Sequence, residues 1–206
     1  MKFPDMQLLY KAVFSAVIGL AFFPGINMLA QNGTYELKNK NGSYCYISFM
    51  KKGNHAEAEI FAWWNNPNAQ TGSYYGAGTL ISNKVSLKSN ENEPDCKVTL
   101  SLEQKKLRAS FDHCAVDHLP EDFNGSYSKI TDATAGDYTV SAAKSYFHKK
   151  PNAAAKLNSY LVKGNMVTLN LDRIEAGNWV YVYYKNPAGK ETAGYILLSN
   201  LSKLEK

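Results

Sequence analysis

Along most of this chain apolar and polar residues alternate in short runs broken by glycine, asparagine and proline, and helical spacing is almost absent. Alternation sends successive side chains to opposite faces of a sheet, so an all-β fold is expected. Residues 31–130 hold seven or eight such runs. Gly33-Thr34-Tyr35-Glu36-Leu37 opens the series, Ala56-Glu57-Ala58-Glu59-Ile60-Phe61-Ala62-Trp63 shows the pattern most clearly, and Gly125-Ser126-Tyr127 echoes the opening run near the far end. A meander of this kind closes into an antiparallel β-barrel if first and last strands meet, and otherwise packs as a sandwich.

One hairpin can be placed in register. Cys96-Lys97-Val98-Thr99-Leu100-Ser101-Leu102 alternates strictly, and Leu107-Arg108-Ala109-Ser110-Phe111-Asp112 returns after a polar loop. If Leu102 faces Leu107, Cys96 falls opposite His113 and one step from Cys114, so one bulge or a strand-end twist joins the sulfurs. A Cys96–Cys114 disulfide is expected, which leaves Cys45, on one strand face with Ile47 and Phe49, as a buried free thiol. The first module resembles calycin or lipocalin-like barrels in architecture, with no diagnostic motif.

Residues 144–204 alternate as well. Tyr160-Leu161-Val162-Lys163-Gly164 runs into a turn, and Trp179-Val180-Tyr181-Val182-Tyr183-Tyr184 separates into two faces, with Trp179, Tyr181 and Tyr183 opposite Val180 and Val182. Pro151, Val162-Lys163-Gly164, Asn178-Trp179-Val180-Tyr181-Val182 and Gly194-Tyr195-Ile196 together are similar to the bacterial SH3 pattern. Asn178 stands where glycine usually precedes the tryptophan, and Tyr195 replaces the second tryptophan. The resemblance implies a small SH3-like barrel over residues 138–206, with Tyr146, Phe147, Trp179, Tyr181 and Tyr195 around its groove, some of them filling its core. The stretch 131–137 lacks large apolar residues and reads as the linker between two folding units.

The N-terminus carries Lys2 and Lys11, an apolar run from Ala12 to Phe23, then Pro24-Gly25 and a small Ala30. This pattern suits a signal peptide over residues 1–30 and is short for a membrane span. The protein is therefore expected to be exported, periplasmic or secreted, with membrane contact only if that segment stays uncleaved. Removing it leaves 21 basic and 17 acidic side chains, of which residues 136–206 hold 10 and 5. Such a basic module outside the cytoplasm points to an anionic partner or to solubility. A nucleic-acid partner is not expected, since no basic helix is present.

No catalytic constellation emerges. His113, Cys114, Asp117 and His118 invite a metal reading, yet a bridged Cys114 cannot ligate and a strand-to-loop junction does not aim both imidazoles at one ion. Glu57 and Glu59 share one strand face and read as solvated charge. Neither cofactor nor metal is expected. Trp63, Trp64, Tyr74 and Tyr75 flank a loop and either form an aromatic rim for stacking or, for the tryptophans, plug a barrel end. The expected role is non-catalytic binding of an envelope protein or cell-wall glycan, as inhibitor, immunity-type factor or adaptor. The alternative is a lipocalin-like carrier of small ligands in the periplasm.

Overall fold

The computed structural model describes residues 32–204, and the export segment expected over residues 1–30 lies outside them. The described chain is all-β. Its first sheet contains β1 (Gly33–Lys38), β2 (Tyr44–Lys52), β3 (His55–Trp63), β4 (Thr71–Thr79), β5 (Lys84–Leu87), β6 (Lys97–Leu102), β7 (Lys106–Asp112) and β8 (Gly125–Thr131). They pair antiparallel in the order β4-β3-β2-β1-β8-β7-β6-β5. First and last strands thus meet. The sheet's free ends return to each other where Ala77 and Lys88 exchange two backbone hydrogen bonds of 3.0 and 2.8 Å. The result is a nearly closed eight-strand barrel.

The barrel is filled by its own side chains. Tyr35, Phe49, Tyr74, Phe111, Phe123 and Tyr127 are all fully buried, among the inward aliphatic residues of β2, β3, β5, β6 and β7. The inner positions of β4 read Gly72, Tyr74, Gly76 and Gly78 because other backbone crosses them closely. A Cβ on Gly78 would lie 2.4 Å from the Ser86 carbonyl oxygen, and one on Gly72 would lie 2.3 Å from that of His118. These glycines are set by close approach, not by turn geometry.

The hairpin of β6 and β7 has the expected register, from Leu102 opposite Leu107 to Lys97 opposite Asp112. Cys96 and Cys114 are bridged at its open end. His113 supplies the twist: its φ of +57° turns the chain sharply and brings Cys114 back towards Cys96. Cys45 is free and buried, and burial pushes its thiol up to about 12. Thiol labelling of the folded protein should therefore find no reactive cysteine, and labelling after unfolding without reductant should find one per chain. Three reactive thiols would remove the bridge.

The second sheet contains β9 (Gly136–Val140), β10 (Lys144–His148), β11 (Lys156–Val162), β12 (Met166–Leu169), β13 (Trp179–Lys185), β14 (Glu191–Leu197) and β15 (Leu201–Lys203), in the order β11-β10-β14-β13-β12-β9-β15. One face of this bent sheet encloses Tyr138, Val140, Phe147, Leu161, Val167, Leu169, Val180, Val182 and Ile196.

The stretch 131–137 is not an exposed linker. Thr131, Ala133 and Thr134 are buried. The Thr34 hydroxyl donates to the Ala133 carbonyl at 2.7 Å, and the Ala135 N–H donates to the Ser48 hydroxyl at 2.8 Å. On the other side the Thr131 hydroxyl donates to the Gly177 carbonyl at 2.6 Å, while the Gly177 N–H donates to Ile130. The lack of large side chains, which reads as a linker, lets this backbone sit tightly between two sheets.

Candidate binding surface

The outer face of the second sheet gathers its aromatic residues. β13 presents Trp179, Tyr181 and Tyr183 there, since Val180 and Val182 take the core side. Tyr195 of β14 lies opposite Tyr181, and His148 of β10 opposite Tyr195. Tyr146, two residues before His148, lies opposite Tyr160 of β11. The rings touch in three groups. Centroids are 5.4 Å apart for Tyr181–Tyr183, 5.1 Å for Tyr181–Tyr195, 4.5 Å for His148–Trp179 and 5.6 Å for Tyr146–Tyr160.

These contacts fix the face before any partner arrives. The Tyr181 pairs are edge-to-face, and such pairs add about 0.5–1.5 kcal/mol each beyond their burial. Rings already held in place lose little conformational freedom on binding. The Tyr195 hydroxyl donates to Glu175. That hydrogen bond, ahead of burial, raises the phenol to about 12, so it remains a protonated donor at neutral pH.

Lysines border the same face. The Lys144 ammonium lies 3.7 Å from the Tyr160 ring centroid and 4.8 Å from that of Tyr146, and the Lys156 ammonium lies 3.6 Å from the Tyr146 centroid. A hydrogen bond with Lys144 holds the half-buried Tyr146 phenol below the usual tyrosine range. Lys149 and Lys150 follow directly after β10. Among the described residues none of these four lysines pairs with a carboxylate.

Four of the five groove residues expected from sequence, Tyr146, Trp179, Tyr181 and Tyr195, thus share one surface. Phe147 does not: it points to the opposite side of β10 and is 1% exposed in the core. Tyr160 and Lys156 complete the surface, and the buried His148 ring supports Trp179 from below. The signal for Tyr160 and Lys156 is the register of β10 against β11, which alternation within one strand does not supply.

The rim expected at Trp63, Trp64, Tyr74 and Tyr75 does not form. Residues 71–75 are part of β4, with Thr71 opposite Trp63 and Tyr75 opposite Glu59. Adjacent residues on a strand face opposite ways, so each pair of neighbours is split. Tyr74 is buried and donates to the Leu87 carbonyl. Trp64 plugs the barrel end, its Nε1 donating to the His118 carbonyl at 3.1 Å and its ring meeting Phe123 at 4.9 Å. Trp63 stays on the outer wall, 5.3 Å from Tyr44. Tyr75 lines a cleft of about 780 Å³ between the two sheets, where its hydroxyl donates to Glu57, itself 3.1 Å from His55 Nε2.

Of the polar group at residues 113–118, Cys114 is taken up in the bridge. His113 is exposed beside Asp112, at 3.5 Å. Among the described residues no helix is long and apolar enough to cross a membrane. Compared with protein-family models, curated proteins and solved structures, the chain has no significant match.

Proposed function

We propose that this is an exported, non-catalytic binding protein of the bacterial envelope, whose second module is SH3-like and recognises a protein partner. The observation that carries this reading is the outer face of β13, β14, β10 and β11, where six large rings, supported by a buried imidazole, lie together under a fringe of lysines. Export is supported by the signal-like N-terminus and is compatible with the disulfide. Tyrosine-rich surfaces with polar tips suit protein recognition, since each ring offers apolar area and a hydroxyl. The interplanar angles of 57°, 63°, 74° and 78° tilt neighbouring rings against one another, so they form no single flat platform of the kind a sugar ring stacks on. That favours protein over wall glycan. The filled interior of the first barrel speaks against a small-ligand carrier.

The test is capture from solubilised envelope by residues 31–206, repeated with Trp179→Ala and Tyr181→Ala. A central aromatic anchor is commonly worth about 2 kcal/mol, so each variant, still folded by circular dichroism, should bind the captured protein some thirtyfold more weakly. Unchanged binding by both variants would show this face idle. Retention on purified sacculi without a captured protein would support the glycan reading instead.

A further inference from the structure

The second sheet ends on β11, which among the described strands pairs only with β10. Every β11 residue except Leu161 is exposed. Leu157, Tyr160 and Val162, with Met166 just beyond the turn, are four of the seven large hydrophobic residues exposed among those described. The backbone of this strand also turns outward at alternate residues. Val162 receives the Asn165 N–H at its carbonyl and donates its own N–H to Asn165 Oδ1 at 2.9 Å, so it does not close on β10. In an antiparallel ladder residues alternate between facing the partner strand and facing away. Tyr160, two residues earlier in continuous register with β10, therefore also turns its N–H and C=O to the open side. An exposed apolar edge with outward backbone groups is a template for one more strand.

Charge selects the occupant. From Tyr138 to Leu171 the chain has five lysines and neither aspartate nor glutamate. Lys144 and Lys156 stand over the rings of Tyr146 and Tyr160, beside that edge. Two copies pairing through β11 would bring these lysines against one another, a like-charge arrangement that disfavours the pair. An acidic segment would instead place carboxylates over the lysines while its backbone meets Tyr160.

We infer that β11 is a docking edge for an extended acidic segment of a partner protein, which joins the second sheet as an added strand. The inference rests on the protein-recognition reading above and specifies its mode. On the added strand, alternate side chains face Tyr160 and the two lysines, and the intervening ones lie on the Leu157 side of the sheet.

Selection of random dodecapeptides displayed on phage against residues 31–206 tests this directly. The expected pool is rich in Asp and Glu at alternate positions, next to β-branched or aromatic residues. A synthetic member of the pool should slow hydrogen exchange of the Tyr160 amide. It should bind the Lys144→Glu, Lys156→Glu double variant about tenfold or more weakly than wild type. Should that double variant fail to fold, the exchange measurement and the loss of binding at raised salt, both on wild type, decide the matter. A pool without acidic enrichment, or binding that leaves the Tyr160 amide unprotected, overturns the proposal. So does protection that grows with protein concentration alone, which would make a second copy the occupant, or protection given by polygalacturonate but not by the selected peptides. Peptides lost with Trp179→Ala yet indifferent to the double variant would remove the edge and leave the aromatic face standing.

Discussion

Gly78→Val and Gly72→Val are each expected to destabilise the protein by roughly 3 kcal/mol or more, at or above the upper end of what overpacking usually costs. At Gly78 the new Cβ would lie 2.4 Å from the Ser86 carbonyl oxygen and 2.8 Å from a Val85 methyl. At Gly72 it would meet the carbonyl oxygens of both His118 and Asp117, at 2.3 and 2.6 Å. The carbonyl oxygens, the closest obstacles at both sites, are backbone atoms, so no rotamer change relieves them. β5 would have to leave β4, or the loop carrying His118 would have to lift off the barrel end. Gly53 is the useful contrast, because its φ is +61° with nothing within 4 Å of a Cβ. Gly53→Ala should cost only about 1–2 kcal/mol, through left-handed backbone strain. Urea unfolding followed by circular dichroism measures all three. An unchanged midpoint for Gly78→Val would mean that the barrel closes less tightly than Ala77 and Lys88 imply.

Those glycines also mark where sequence reading reached its limit. Strand pattern alone located most of the first sheet, while its repeated Gly-Thr/Ser-Tyr opening left barrel and sandwich both open; the pairing of β1 with β8 decides for the barrel. Hairpin arithmetic located the disulfide, since register within one hairpin depends only on the loop. Gly72, in contrast, looked like a loop residue. Close approach of a distant segment and local turn formation both call for glycine, and nothing local tells them apart. The same ambiguity hid the junction: Thr131, Ala133 and Thr134 are small because two sheets crowd them, while small polar residues also make linkers. For the binding face, parity within β13 placed Trp179, Tyr181 and Tyr183 correctly. The SH3 resemblance grouped Tyr146 and Tyr195 with them, but adding Tyr160 required the strand order β11-β10-β14-β13, in which β10 pairs with a strand more than forty residues away.

Exchanging Cys96 and Cys114 together for serine should lower stability by about 3 kcal/mol, the loop-closure value for a bridge spanning 18 residues. The loss has a structural counterpart. The loop beyond Cys114 carries buried Leu119 into the core, offers the His118 carbonyl to Trp64 Nε1, and takes the Asn92 amide on Asp117. Released from Cys96, that loop can fray and uncover Trp64 and Phe123. The effect should not stop at the first barrel. Ala133 packs in the core of the second sheet while its carbonyl holds Thr34 of the first, and Ala135 holds Ser48. Losing the first barrel strips those contacts from the second. A single calorimetric transition, lowered by about 6–12 °C for a chain of this size, is the expected result. Two resolved transitions, with the one that reports Trp179 unmoved, would show that the junction transmits nothing and that each sheet folds on its own.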